Sequence, residues 1–129
     1  MSFYSIKDPI RYEGPKTDKA LAFRWYNPDQ KVLGKTMREH FRFAVCYWHT
    51  LCWQGTDPFG GETFNRQWHH VADPMQAARM KADVMFETLD LLDIDFFTFH
   101  DLDIAPEGNS LKEFNANVTA MAKVLGDKM

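Results

Sequence analysis

The segment at residues 96–108 constrains the fold of this chain more than any other part of the sequence. A run of apolar and aromatic residues ends there in His100, Asp101 and Asp103, and a Pro-x-Gly breaker follows. In parallel α/β proteins, catalytic groups lie at the carboxyl ends of buried strands. The segment therefore predicts a strand over residues 96–100, apolar on both faces, with candidate chemistry at its carboxyl end.

Two amphipathic helices flank this strand. Asp73 is placed to cap the first helix, and Ser110 forms a capping box with Glu113 at the start of the second. Apolar residues then recur every three or four positions, which predicts one buried stripe on each helix, and Gly126 is expected to end the second one.

The preceding part of the chain predicts another βα unit. Residues 36–40 begin a short helix, residues 43–48 read as a buried strand, and residues 49–72 form a long loop. The order strand, loop, helix, strand, helix indicates an α/β fold with two βα units.

Residues 1–34 have a different character from the rest. They are punctuated by Pro and Gly yet carry Tyr12, Phe23, Trp25 and Tyr26, too many aromatic residues for a floppy tail. We expect an extended arm over residues 1–34 that lies on a folded body, either its own or a neighbour's. Residues 35–129 would then form the body with the two βα units.

Charge and cysteine content exclude several classes of protein. A net charge of −3 and a pI near 5.9 provide no basic surface, which argues against nucleic acid and anionic membrane as partners. Cys46 and Cys52 form no disulfide framework, the first residues lack the apolar core of a signal peptide, and no run approaches the roughly 18 apolar residues of a membrane helix. The sequence therefore predicts a soluble cytoplasmic protein.

His100 and Asp103 are the first candidates for chemistry. A neutral imidazole can accept or donate a proton near neutral pH, and a carboxylate bound to its other nitrogen fixes the tautomer. The alternative is a structural role, because a histidine at a strand end is often simply hydrogen-bonded. Asp101 and Glu107 are better explained as solvated loop acids or helix-entry charges.

Aromatic residues form a second candidate group after residues 43–48. Trp48, His49, Trp53 and Phe59 could fill the core and anchor the loop, or they could wall a pocket for a sugar-like ligand. A metal site is poorly supported, because adjacent His69 and His70 would point to opposite faces of a strand and the cysteines lack zinc spacing. We assign no metal ligand.

Six strings together resemble the N-terminal part of xylose isomerases, of the class with the longer N-terminal extension. The resemblance covers nearly the whole chain, in the right order. The strings are YEGPK at residues 12–16, LAFR at 21–24, YNP at 26–28, FAVCYWHT at 43–50, GTDPFG at 55–60 and FHDLDIAPEG at 99–108.

This resemblance implies a (β/α)8 TIM barrel that interconverts D-xylose and D-xylulose, and D-glucose and D-fructose. His100 would bind the ring oxygen of the sugar and assist ring opening, and Asp103 would orient His100. Trp48 would wall the pocket, and Phe59 would reach into a neighbouring subunit of a homotetramer. Two divalent ions (Mg²⁺, Mn²⁺ or Co²⁺) would hold the open-chain sugar and promote a hydride shift between its first two carbons.

The family's metal ligands lie on later strands, so the resemblance implies none on this chain. A full barrel needs eight βα units and about 250 residues. We therefore expect the N-terminal section of an isomerase, inactive until the remainder of the barrel is supplied. Two units alone would expose a strand edge and apolar helix faces. The alternative is a catalytically inactive truncated or engineered fragment that acts only as a self-associating assembly module.

Overall fold

The chain has a mixed α/β fold, seen in a computed structural model that describes residues 2–129. These residues form two compact units. The first contains residues 2–45 and 87–97, and the second contains residues 46–86 and 98–129. In chain order the elements are β1 (Lys31–Val32), β2 (Lys35–Thr36), α1 (Met37–His40), β3 (Ala44–Cys46), a π-helix (Trp48–Cys52), a 3-10 helix (Gln67–His70), α2 (Pro74–Leu92), β4 (Phe96–Thr98), α3 (Asp101–Ile104) and α4 (Leu111–Lys128).

A tight hairpin leads into α1 in the first unit. β1 and β2 pair antiparallel through a turn at Leu33 and Gly34, whose φ angles of 50° and 83° are those that a two-residue hairpin turn requires. Thr36 then caps α1, because its side chain accepts from the Glu39 amide while Glu39 reaches back to the Thr36 amide. The short helix predicted near residues 36–40 is confirmed.

The N-terminal residues bind the end of α2 within the same unit. The Glu87 carboxylate accepts hydrogen bonds from the Ser2 hydroxyl and from the amides of Phe3 (2.8 Å) and Tyr4 (3.1 Å). These hydrogen bonds lower the pKa of Glu87, and the bond from Ser2 has the largest effect. Further along, the Ile10 amide donates to the carbonyl of Leu91 at 2.7 Å.

The α2 helix begins where the sequence predicts. The Asp73 carboxylate accepts from the Met75 amide at 2.9 Å, and Pro74 occupies the first position. Four residues of the predicted apolar face are buried, namely Ala78, Ala82, Met85 and Leu89.

The predicted strands are shorter and less buried in the structure. β3 and β4 are hydrogen-bonded neighbours in a two-stranded sheet, but each has three residues rather than the five or six predicted. The expectation that residues 96–100 are buried on both faces is wrong, because Phe96 and Phe99 are each 46% exposed. After β3 the chain enters the π-helix at Trp48 instead of continuing as a strand.

The second unit holds the most deeply buried side chains. Tyr47, Leu51, Met85 and Met121 are essentially inaccessible to solvent. α4 contributes Met121 and Leu125 to this core and starts at Ser110, whose hydroxyl accepts from the Glu113 amide at 3.2 Å. The helix continues to Lys128, so the prediction that Gly126 ends it is wrong.

Candidate active site

His100 and Asp103 form a hydrogen-bonded pair around the start of α3. His100 is the residue before the helix, and Asp103 is the third residue within it, so the two side chains meet one turn apart. Asp103 Oδ2 accepts from the His100 amide at 2.7 Å and lies 3.0 Å from His100 Nδ1. One carboxylate oxygen therefore fixes both the backbone and the ring of His100.

The two members of the pair differ sharply in exposure. The Asp103 side chain is 6% exposed, whereas the His100 side chain is 75% exposed. An ionised carboxylate only accepts hydrogen bonds, so in a neutral ring the proton sits on Nδ1 and points at Asp103. Nε2 then carries the free lone pair of this exposed side chain. A buried acceptor that orients an exposed imidazole is an arrangement suited to proton transfer.

Two further polar groups approach the main-chain carbonyl of Asp103. Lys81 Nζ donates to the main-chain carbonyl of Asp103 at 2.7 Å, and the Cys52 thiol approaches the same oxygen at 3.6 Å. Lys81 Nζ also lies 3.6 Å from Cys52 Sγ and 5.9 Å from the centre of the Tyr47 ring. Burial raises the pKa of the Cys52 thiol and that of the Tyr47 hydroxyl.

Sequence reasoning missed Lys81, although a signal for it was present. Position 81 lies three residues after Ala78 and four before Met85, both of which are buried. A lysine inside an apolar helical stripe needs a polar partner for its ammonium group. That partner, the Asp103 carbonyl, is far away in the sequence and becomes visible only in the fold.

The aromatic candidates lie in the same compact unit as His100 and Asp103. Trp48 is 41% exposed, and its ring meets the edge of His49 with centroids 4.5 Å apart. Phe59 is 97% exposed on a turn in which Asp57 Oδ1 accepts from its amide at 2.7 Å. Within residues 2–129, no hydrogen bond or ring contact joins Trp48 or Phe59 to His100 or Asp103. Their roles in a pocket stay predictions.

Residues 2–129 contain no group of three or more His, Cys, Asp or Glu side chains that could hold a metal ion. His69 packs beside Trp68, and His70 Nε2 contacts Asn65 Oδ1. Cys46 and Cys52 are free thiols. In the same described part of the chain, no helix combines the length and apolar character that a membrane span needs.

The chain is similar to curated xylose isomerases over nearly all of its length. No family model matches it. The xylose isomerase of Chelativorans sp. strain BNC1 is 54% identical over 127 residues, which are 98% of this chain and 29% of the relative. The chain is homologous to an N-terminal portion of xylose isomerases. Xylose isomerases of Burkholderia vietnamiensis strain G4 (51% identical over 128 residues) and Salmonella paratyphi B (50% over 127) match 99% and 98% of this chain. It spans 29% of the length of each.

This homology confirms the resemblance drawn from the six sequence strings. All six strings lie within a match that covers 98% of the chain. Residues 2–129 form helices and two small sheets, so the fold class that is observed is mixed α/β.

Proposed function

We propose that this chain supplies the His100–Asp103 pair of a metal-dependent aldose–ketose isomerase. Its substrates would be D-xylose and D-xylulose, and D-glucose and D-fructose. The observation that carries the proposal is the 54% identity to a xylose isomerase over 98% of the chain. The local geometry supports it, since the exposed imidazole held by a buried carboxylate suits the opening of a cyclic sugar.

His100 would open the sugar ring by moving one proton. With Nδ1–H donating to Asp103, Nε2 accepts the proton of the anomeric hydroxyl as the bond from C1 to the ring oxygen breaks. The C1 carbonyl forms, and Nε2–H passes its proton to the ring oxygen, which restores the neutral imidazole. Asp103 stabilises the transient imidazolium and keeps the ring in one orientation throughout.

The rest of the proposed architecture follows the family resemblance. Residues 1–34 would form the arm and residues 35–129 the first two βα units of a (β/α)8 barrel. Trp48 would wall the pocket and Phe59 would enter a neighbouring site in a cytoplasmic homotetramer. The almost complete exposure of Phe59 supports this role, because an exposed aromatic ring on a turn is free to insert into a partner.

The two divalent ions of this proposal do not fit a site within this chain. Residues 2–129 bring no three metal-ligating side chains together, so the ligands would lie on the remainder of the isomerase. When bound, Mg²⁺, Mn²⁺ or Co²⁺ would act as template and Lewis acid for the open-chain sugar.

A non-catalytic assembly module is the competing function. Large apolar side chains of the described region, including Trp25 at 81% and Leu33 at 95% exposure, are the features that favour it. Such a module would self-associate, and neither metal-dependent turnover nor a requirement for His100 would follow.

The two functions are separated by an activity assay on a chimera. This sequence replaces the matching segment of the Chelativorans xylose isomerase, and conversion of D-xylose is measured with and without added Mg²⁺. We expect metal-dependent turnover that His100→Asn reduces at least about 100-fold, because general acid–base catalysis contributes 10²–10⁴-fold. His70→Asn, an exposed histidine in the same unit, is the control. A folded chimera without turnover, or one unaffected by His100→Asn, would contradict the proposal.

A further inference from the structure

We propose that Lys81 is a positioning residue that holds Asp103, and through it His100, in the orientation that ring opening requires. This inference rests on the proposed function for its catalytic consequence, but its structural part concerns only this chain. Lys81 itself reaches neither the imidazole nor the carboxylate.

The Asp103 residue is held at two points, its carboxylate and its main-chain carbonyl. Its carboxylate binds the amide and ring of His100, while its main-chain carbonyl accepts from Lys81 Nζ at 2.7 Å. The Lys81 ammonium is a charged donor, and hydrogen bonds with a charged partner are about twice as strong as those between neutral groups. Lys81 therefore fixes the backbone from which the orienting carboxylate projects.

The short length of α3 leaves it dependent on contacts from outside the helix, of which this bond is one. The helix spans only Asp101–Ile104, and a helix of one turn has too few internal hydrogen bonds to be stable by itself. The last carbonyls of any helix also lack intrahelical donors. Lys81, on the 19-residue helix α2, satisfies one of them and ties α3 to a long and regular element.

The surroundings of Lys81 favour this single role. Its ammonium group lies near the Asp103 carbonyl, the Cys52 thiol and the Tyr47 ring. Burial raises the pKa of the neighbouring Cys52 thiol, so this thiol stays neutral and does not compete with the carbonyl as a charged acceptor. Lys81 thus has one strong acceptor, and that acceptor belongs to Asp103.

The tautomer of His100, measured in this chain itself, tests whether Lys81 positions Asp103 and His100. ¹⁵N NMR shifts of the His100 ring distinguish a neutral imidazole protonated at Nδ1 from one protonated at Nε2. We expect the Nδ1–H form to dominate in the unmodified chain and to lose population in Lys81→Met. Arg79→Met removes the same charge from an exposed position on the same helix and should leave the tautomer unchanged. Lys81→Arg retains a charged donor and should restore most of the Nδ1–H form.

Equal tautomer populations in Lys81→Met and Arg79→Met would overturn the inference. If Lys81→Met does not fold, as judged by circular dichroism, Lys81→Arg and Lys81→Gln supply the comparison. Lys81→Gln is shorter and uncharged, so it should lose Nδ1–H population relative to Lys81→Arg, which keeps a charged donor.

Kinetics of the chimera test the catalytic consequence. Displacing a catalytic group by about 1 Å can cost 100-fold in rate, so Lys81→Met should lower kcat at least about tenfold and change KM less. Arg79→Met should match the unmodified chimera. Loss of activity in His100→Asn but not in Lys81→Met would refute the role of Lys81 alone. An inactive unmodified chimera with an altered tautomer in Lys81→Met would refute the proposed function alone.

Discussion

Tyr47 shows how the second unit accommodates an unfavourable group close to the site. Its side chain is fully buried, and within residues 2–129 its hydroxyl has no hydrogen-bond partner. A buried hydroxyl without a partner costs about 1–3 kcal/mol. Burial of the ring is worth more than this cost, and Lys81 Nζ lies 5.9 Å from the ring centre. The ring therefore holds Tyr47 in place, while the hydroxyl weakens the fold.

Replacing Tyr47 by Phe separates the contribution of the ring to stability from that of the hydroxyl. We expect Tyr47→Phe to leave the free energy of unfolding unchanged or to raise it by about 1 kcal/mol, because it removes only the unpaired hydroxyl. Tyr47→Ala should lower it by about 3–5 kcal/mol. Urea denaturation at pH 7 measures both. A loss of more than 1 kcal/mol in Tyr47→Phe would mean that the hydroxyl has a stabilising partner.

The Tyr47 hydroxyl also gives the stability of the unmodified chain a predicted pH dependence, which Tyr47→Phe should lose. Burial raises the pKa of Tyr47 above the value of about 10 that tyrosine has in an unfolded chain, so above pH 10 the unfolded chain loses this proton while the folded chain retains it. Stability then falls by at most about 1.4 kcal/mol per pH unit. Tyr47→Phe should lack this part of the alkaline decline.

Among the elements, the helices could be predicted from the sequence more fully than the strands. The N-terminal ends of α2 and α4 follow from local signals, because Asp73 and Ser110 make the cap bonds that their positions indicate. β3 and β4 were predicted too long, since strand length depends on partners that lie far away in the sequence. Gly126 illustrates a local signal that was misleading, because a helical glycine and a helix-ending glycine look alike in sequence.

Substitutions at two glycines separate a glycine inside a helix from a glycine that a positive φ angle requires. At Gly126 the helix continues and an added Cβ would meet nothing within 4 Å, so Gly126→Ala should stabilise the chain by about 0.5–1 kcal/mol. At Gly108, with φ of +74°, an added Cβ would lie 2.8 Å from Glu113 Cδ. Gly108→Ala should destabilise the chain by about 1–2 kcal/mol. Thermal unfolding measures both; a destabilising Gly126→Ala would indicate that α4 ends earlier.

For the whole molecule, the sequence was most informative where function depends on neighbouring residues. The His100–Asp103 pair could be predicted because its members are three residues apart. Lys81 could not be paired with Asp103, since their contact depends on how α2 and α3 pack within the second unit. Trp48 and Phe59 were predicted as aromatic candidates. Within residues 2–129 neither has a hydrogen bond or ring contact with His100 or Asp103, so the pocket that they would wall needs further surfaces.

The orienting of a catalytic His100 by Asp103 can be tested directly in the proposed enzyme, and Asp101 provides a matched control two residues away. In the chimera, Asp103→Asn should lower kcat for D-xylose at least about 100-fold, because an amide no longer fixes the Nδ1–H tautomer or stabilises the imidazolium. Asp101→Asn removes the same charge from an exposed carboxylate and should stay within about twofold of the unmodified enzyme. Equal activity in the two variants, whether both high or both low, would contradict the account.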